Sequence, residues 1–285
     1  MRAMVDPFDF EKPKRFAVMG NPVAHSKSPF IHKQFAHQFK HQLEYTAIQV
    51  DVGGLKQAVE QFRAHGGNGL NITLPFKLDA FRLADHLSDR AQIAHAVNTL
   101  RFDPDDSIFG DNTDGAGLVH DLEHNLEVHI KDKQVLILGA GGAARGVLAP
   151  ILKHGPARLM VANRTVAKAK ELVREFAAHG KVEVCGFEDL RGKHFDLVIN
   201  ATSASIKGEL PPLPETLLAR EAVAYDMMYA DKPTPFMEWA ELHGAGQVVD
   251  GIGMLVEQAA ESYLIWNGVR PQTQPVIAAL RRGEA

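Results

Sequence analysis

Short apolar runs alternate with stretches of helical period from Arg15 almost to the end of the chain, without internal repeat or low-complexity tract. Residues 16–19 read as a strand. Ser28-Pro29 opens a helix to about Phe39, with Ser as cap and Pro at the first helical position. A strand at 45–50 follows, then a helix at 55–65 stopped by Gly66-Gly67, a strand at 70–74, and a helix started by Pro75. Short strands at 99–102 and 107–109 flank a Pro104-Asp105-Asp106 turn. This first α/β unit ends near Asp111. Residues 115–125 read as a linking helix. Beyond them, apolar runs at 135–138, 159–162, 182–185, 197–200, 223–227 and 247–249 alternate with helical patterns, the longest at 166–178. Helices at 253–266 and 275–282 close the chain and are expected to lean back across a cleft onto the first domain. Parallel strands with helical crossovers give a doubly wound sheet. The expected fold is α/β, with an N-terminal domain, a Rossmann-type domain and a cleft between them.

One stretch carries a specific chemical signal. Residues 134–165 read QVLILGAGGAARGVLAPILKHGPARLMVANRT, an apolar run, a glycine turn, a helical pattern and a second apolar run. In such a βαβ context G-x-G-x-x-A points to a dinucleotide. Gly139 permits the tight turn, Gly141 lets a pyrophosphate approach the main chain, and small Ala144 lets helix and strand pack closely. The helix N-terminus offers unpaired N–H groups and a positive dipole end. An NAD site places an acid after the second strand, about 20 residues on; this chain has Arg164 there, with Thr165 as a possible helix cap and Lys168 in the next first turn. Cations at a helix N-terminus oppose the dipole, and the 2′-phosphate of NADP would reverse that balance. The expectation is NADP over NAD; a solvated basic surface is the plain alternative.

Composition narrows the class. The 285 residues are 45% hydrophobic with a formal charge of −4, which argues against nucleic acid as a general partner. A single cysteine, Cys185, excludes a disulfide framework and a Cys-rich zinc site. The 14 histidines form no H-E-x-x-H or Cys/His set, so no metal is expected; His120 and His124 share a helix face and read as wet surface. No apolar run reaches membrane-spanning length, and the opening MRAMVDPFDFEKPKR lacks the apolar core of a signal peptide. It reads as a loose extension, and cytoplasm is the expected location. No pattern decides between monomer and homodimer.

Three polar stretches stand where ligands sit in open α/β sheets. In GNPVAHSKSP, Ser26 and Ser28 suit a substrate hydroxyl or carboxylate, with an N-cap as the competing role for Ser28. In NITLPFK, Lys77 falls in the first turn of a helix, where the dipole disfavours an ammonium and suits a general base; a solvated surface lysine is the bland reading. Asn98-Thr99 and GDNTDG form the third, with Asp114 at the domain junction, either a helix cap or a partner for Lys77. Gln258, on a mostly apolar helix face one turn from Met254, Leu255 and Ser262, needs a hydrogen-bond partner, structural or substrate.

Together GNPVAHSKSP, NITLPFK, AVNTL, GDNTDG, GAGGAARG, ANRTVAKA, NATSAS, YDMMY…TPF and DGIGMLVEQAA resemble the shikimate dehydrogenase family, in family order over nearly the whole chain. The resemblance implies reversible reduction of 3-dehydroshikimate to shikimate by NADPH, in aromatic amino-acid biosynthesis. It implies that Lys77 is the catalytic acid/base with Asp114 as partner, and that Ser26, Ser28, Thr73, Asn98, Asp114, Tyr229 and Gln258 bind shikimate. It matches Gly139, Ala140, Gly141, Gly142 and Ala143 to the pyrophosphate loop, and Asn163, Arg164, Thr165 and Lys168 to the adenosine-phosphate site. Met227 and Gly251 match positions near the nicotinamide. The family's basic residue after NRT is often Arg; Lys168 replaces a fork by a point charge, which implies a somewhat weaker hold on the 2′-phosphate. Asp89 falls where some relatives place a Glu near the cofactor. The implied domains are 1–113 for substrate, with 1–14 as the loose extension, 114–251 for NADP, and 252–285 as helices packing back on the first domain. The rival readings are a dual quinate/shikimate dehydrogenase and a non-catalytic NADP sensor.

Overall fold

A computed structural model describes residues 12–202, 204, 208–230 and 232–285. Residues 1–11 of the expected extension, and Ser203 and Ser205 of NATSAS, lie outside the described residues. The rest of that extension is not all loose, because Lys14 already belongs to the first strand.

Among the described residues the frame is two six-stranded sheets. The first contains β1 (Lys14–Gly20), β2 (Leu43–Gln49), β3 (Gly67–Ile72), β4 (His86–Leu87), β5 (Thr99–Phe102) and β6 (Ile108–Asp111), in the order β2-β1-β3-β5-β6-β4. β1 pairs parallel with both β2 and β3, while β5 runs antiparallel to β3 and β6. The chain order reverses at β1, so a crevice opens beyond the carboxyl ends of β1 and β3. The second sheet is all parallel: β7 (Gln134–Leu138), β8 (Arg158–Ala162), β9 (Glu183–Cys185), β10 (Phe195–Asn200), β11 (Leu218–Asp226) and β12 (Gln247–Val249), in the order β12-β11-β10-β7-β8-β9. Counted from β7 this is the 3-2-1-4-5-6 order of a dinucleotide fold, with its switch point between β7 and β10.

Burial explains why these runs are strands. β7, β8 and residues 197–199 of β10 are nearly continuous buried apolar runs, as a sheet covered on both faces requires. Helix α6 (Gly142–Lys153) packs Val147, Leu148 and Ile151 on one face, and α8 (Pro235–Leu242) packs Phe236 and Trp239 on the other. The closing helices α9 (Ile252–Asn267) and α10 (Gln274–Arg281) do not cover this sheet alone. Val256, Ala260 and Tyr263 of α9 and Ile277 of α10 form one core with Ile31 and Phe35 of α1 (Ser28–Phe39). No helix among the described residues is long and apolar enough to cross a membrane.

Several boundaries differ from the sequence reading. Ser28 is the first helical residue, not the cap: Lys27 holds the cap position, and the Ser28 amide donates to Ser26 Oγ at 3.3 Å. Pro75 starts no helix. Residues 73–76 form a turn closed by Phe76 N to Thr73 O at 3.0 Å, and α3 (Lys77–Leu83) begins at Lys77 itself. α7 (Val166–Glu175) stops short of 178 because the chain tightens into i→i−3 bonds after the buried Phe176. The linking helix divides into α5 (Asp114–His120) and a π-helical turn, Asp121–Asn125, closed by Leu126 N to Asp121 O at 3.0 Å. β11 starts earlier than expected because a bulge carries exposed Arg220 and Glu221 past β10. β4 and α4 (Asp89–Ala94), with Ser88 as side-chain cap, were not anticipated.

Between α1, β2 and α9 lies an aromatic layer. His32 stacks on Tyr45 with ring centroids 4.3 Å apart, and Trp266 stacks on Phe16 at 4.4 Å. Burial pushes the His32 pKa down to about 3, with only Asn71 offsetting any of the cost. A base whose folded pKa lies below its unfolded value binds its proton in the unfolded state, so stability falls as pH drops below about 6.5. The loss between pH 6.5 and 5 is about 2 kcal/mol. We expect His32→Phe to flatten this part of the acid limb in urea denaturation measured against pH. An unchanged slope between those two pH values in the variant would exclude His32 as its source.

Candidate active site

Two helix starts meet at the crevice of the first sheet. Lys77 opens α3 and Asp114 opens α5, and Lys77 Nζ donates to Asp114 Oδ2 at 2.5 Å. The side chains are 19% and 9% exposed, so the pair is shielded yet reachable. The carboxylate at the start of α5 suits the helix dipole, whereas the ammonium at the start of α3 opposes it and is held by its partner. Asp114 Oδ1 accepts from Asn98 Nδ2 at 2.7 Å. Asn98 Oδ1 in turn accepts from the Thr113 amide at 2.9 Å and from Thr99 Oγ1 at 2.9 Å. Gln258 Oε1 lies 3.3 Å from Asn98 Nδ2, while Gln258 Nε2 donates to Leu255 O at 2.8 Å. Lys77, Asp114, Asn98 and Gln258 therefore share one hydrogen-bonded cluster.

Ser26 sits on the loop that leaves β1, Ser28 is the first residue of α1 at the end of that loop, and Thr73 follows β3. The loops touch: a Cβ on Gly20 would fall 2.3 Å from Thr73 Cγ2. Tyr229 follows β11, half-buried, and burial raises its phenol pKa. Among the described residues it makes no hydrogen bond to the cluster. Two members were missed as parts of the cluster. Asn71 Oδ1 accepts from Tyr45 at 2.7 Å and its Nδ2 donates to Ser262 Oγ at 2.9 Å; Ser262 Oγ lies 2.8 Å from Thr99 Oγ1. The available signal was a serine four residues after Gln258 on a buried helix face.

The second crevice lies at the end of β7. Gly139 has φ +104 and its amide donates to Ala162 O at 2.8 Å; a Cβ there would sit 3.1 Å from Ala201 O. Gly141 caps α6 in an extended conformation without a side-chain bond. Cβ atoms on Gly141 or Gly142 would meet nothing within 4 Å, so the space before the helix is open. Ala140 and Ala143 are half-buried and Ala144 is fully buried against the sheet. This fits a pyrophosphate on the amides of a 12-residue helix. At the end of β8, Asn163 Nδ2 donates to Thr165 O at 2.8 Å and shapes the turn. Thr165 holds the cap position of α7 but makes no side-chain cap bond, contrary to its expected role. Arg164 and Lys168 are exposed, in no ion pair among the described residues, and the first turn of α7 has no acid. Two free cations at a bare helix start fit the added phosphate of NADP. Met227 N donates to Asn200 O at 3.0 Å, and Gly251 packs so close that a Cβ would lie 2.3 Å from Met227 O.

Helix α5 joins the two crevices. A Cβ on Gly115 would lie 2.4 Å from Gly146 O of α6, and one on Gly146 would lie 3.2 Å from Asp114 Oδ2. The dinucleotide helix thus backs directly on the Lys77–Asp114 pair. His120 and His124 are not simply wet surface. Their rings stack at 4.2 Å, and His120 Nδ1 lies 3.1 Å from the fully buried Glu257. Among the described residues no group of three or more His, Cys, Asp and Glu side chains is placed to hold a metal.

The chain matches three family models: the shikimate dehydrogenase substrate-binding domain over residues 18–100, shikimate/quinate 5-dehydrogenase over 121–207, and the shikimate 5′-dehydrogenase C-terminal domain over 251–281. The shikimate dehydrogenase (NADP(+)) of Nitrosospira multiformis is 56% identical over 266 residues, covering 93% of this chain and 96% of that protein. Among solved structures, an Ael1 enzyme from Pseudomonas putida is 48% identical with a TM-score of 0.88, over 94% of this chain and 98% of that one. The shikimate 5-dehydrogenase of Thermus thermophilus, solved with NADP(H) and shikimate, is 32% identical with a TM-score of 0.84, over 94% and 99%.

Gly139→Ala places a Cβ in a left-handed conformation against the Ala201 carbonyl. The expected cost is about 1–3 kcal/mol in chemical denaturation, together with weakened dinucleotide binding. Parental stability and binding would show that the turn tolerates a side chain.

Proposed function

The chain belongs to the shikimate dehydrogenase family, and from that premise we propose that Lys77, partnered by Asp114, is its catalytic acid/base. The chain is an NADP-dependent oxidoreductase acting on a CH–OH group, and interconverts 3-dehydroshikimate and shikimate on the route to the aromatic amino acids. The observation that supports the lysine's role is its 2.5 Å contact with Asp114, beside the helix that follows the dinucleotide turn. In reduction, the Lys77 ammonium gives a proton to the substrate carbonyl oxygen; in oxidation, the neutral amine takes the proton of the hydroxyl. Asp114 keeps the ammonium in place and turns its second oxygen to Asn98. When bound, NADPH supplies the hydride.

In this reading Ser26 and Ser28 take the substrate carboxylate or a hydroxyl. Thr73, Asn98, Asp114, Tyr229 and Gln258 take the remaining polar groups. Residues 139–143 hold the pyrophosphate, and Asn163, Arg164, Thr165 and Lys168 the adenosine phosphate. Met227 and Gly251 flank the nicotinamide. Residues 1–113 and 114–251 are then the substrate and NADP domains, with 252–285 returning to the first. The reading extends to a monomeric or homodimeric enzyme and to the cytoplasm, the latter supported by its single, buried cysteine.

The direct test is the initial rate of nicotinamide reduction with shikimate or quinate, each against NADP and NAD. Turnover with shikimate and NADP far above the other pairs is expected. Comparable quinate turnover would replace the reading by a dual enzyme, and NADP binding without any turnover by a sensor. Lys77→Ala is expected to lower kcat by about 100- to 10,000-fold with a much smaller change in KM. Near-normal turnover would remove the lysine from the chemistry. Replacing Arg164 and Lys168 together by Ala is expected to raise KM for NADP by about 10- to 100-fold and leave KM for NAD nearly unchanged. An equal rise for both cofactors would place the 2′-phosphate elsewhere.

A further inference from the structure

Asp111 ends β6, three residues before Asp114, and its carboxylate is almost fully buried. Four donors hold it. Arg90 approaches with its fork, Nε to Oδ1 and Nη2 to Oδ2, both at 2.7 Å. Ser88 Oγ donates to Oδ1 at 2.5 Å and the Asn112 amide to the same oxygen at 2.7 Å. The main chain of Asp111 is also engaged, because its carbonyl accepts from the Asn98 amide at 3.0 Å. Asp111 therefore fixes both the start of the turn that delivers Asp114 and the place of Asn98 just before β5.

The remaining arm of Arg90 points elsewhere. Nη1 donates to Glu261 Oε2 at 3.0 Å, and Glu261 lies on α9 one turn beyond Gln258. Glu261 is paired in turn with Arg270, whose Nη2 reaches Glu257 at 2.8 Å. One guanidinium thus ties the 111–114 turn to the helix that carries Gln258. It does so from a half-open position, 32% exposed, so filling the core is not its main contribution. A bidentate grip sets both the distance and the rotation of a carboxylate, which a lysine ammonium cannot do.

We propose that Arg90 is a positioning residue for the reaction: its fork on Asp111 and its bond to Glu261 together aim Asp114 and Gln258 at the substrate beside Lys77. This rests on the Lys77–Asp114 reading above. Without the fork, Asp111 becomes a buried carboxylate short of partners, and the turn relaxes towards water, taking Asp114 with it. A displacement of about 1 Å at a catalytic group costs on the order of 100-fold in rate.

The test compares Arg90→Ala, Arg90→Lys and Asp114→Asn with the parent enzyme. The readouts are kcat and KM for shikimate with NADP, the pH profile of kcat, and NADP affinity by equilibrium binding. Arg90→Ala is expected to lower kcat by about 10- to 100-fold, to reshape the pH profile, and to leave NADP affinity nearly unchanged. Millimolar guanidinium ion should restore much of the lost kcat by refilling the open slot. Arg90→Lys, which keeps the charge and the fold but not the fork, should stay impaired. Parental kcat in Arg90→Lys would overturn the proposal. So would a drop in Arg90→Ala that guanidinium does not restore, since that is the signature of general structural damage. Should Arg90→Ala not fold, Arg90→Lys decides alone. Full activity in Asp114→Asn would instead overturn the underlying dyad. An inactive Asp114→Asn beside a fully active Arg90→Ala would sink only the role of Arg90.

Discussion

Helix α5 is seven residues long, and its backbone is approached closely from both sides, which joins the two halves of the fold. On one side a Cβ at Gly115 would collide with the Gly146 carbonyl and Pro150 of α6. On the other, a Cβ at Gly117 would lie 2.6 Å from the Gln258 amide of α9. Main chain therefore meets main chain at both crossings, where ordinary helix pairs stand about 8–10 Å apart, axis to axis, on their side chains. This close approach lets one short element carry Asp114 against Lys77 of the first domain and α6 of the second at once. The other face of α9 packs Val256, Ala260 and Tyr263 against Ile31 and Phe35 of α1, so α9 reaches from α5 to the first domain.

That constraint makes the polar cluster possible. Asn98, Thr99, Thr113 and Ser262 are all buried. Buried polar groups are tolerated only when each finds a partner, and here the partners come from β5, the turn before α5, and α9. Because the backbones are so close, short side chains are long enough to bridge them. A larger separation would need longer side chains, with more rotamers and less definition of where Asp114 and Lys77 meet.

Much of this was legible in the sequence. The alternation of apolar runs with helical periods gave the order of the principal strands, because buried parallel strands are written as short aliphatic blocks. The dinucleotide turn was legible because glycine spacing is dictated by backbone geometry that no other residue satisfies. Lys77 and Asp114 were legible as polar residues at helix starts. What stayed hidden depends on contacts distant in sequence. Nothing local marks Arg90 as the partner of Asp111 and Glu261, and the π-helical turn at Asp121 leaves no periodic trace. Ser28 was misread as a cap because capping residues and first-turn residues share the same composition. The site at residue 75 was misread because proline before a helix also serves turns.

The far end of α5 shows that a pair of perturbed carboxyls is not by itself a place for chemistry. Asp121 lies about 10 Å along the helix from Asp114. Burial pushes its carboxyl pKa up, although Tyr225 and Asn125 both donate to it. Glu257, beside it, meets the same burial, but His120, Thr273 and Asn125 hold its pKa below the usual range. Two neighbouring carboxyls driven apart in this way are the usual mark of an acid/base pair. Yet Glu257 is fully enclosed, and Gly253 packs so close to Asp121 that a Cβ would touch its carboxylate. No space remains for a reactant, so this pair serves the joint between α5, β11 and α9. Lys77 and Asp114 sit instead where the crevices of both sheets open onto one another, and that opening leaves room for a reactant beside them.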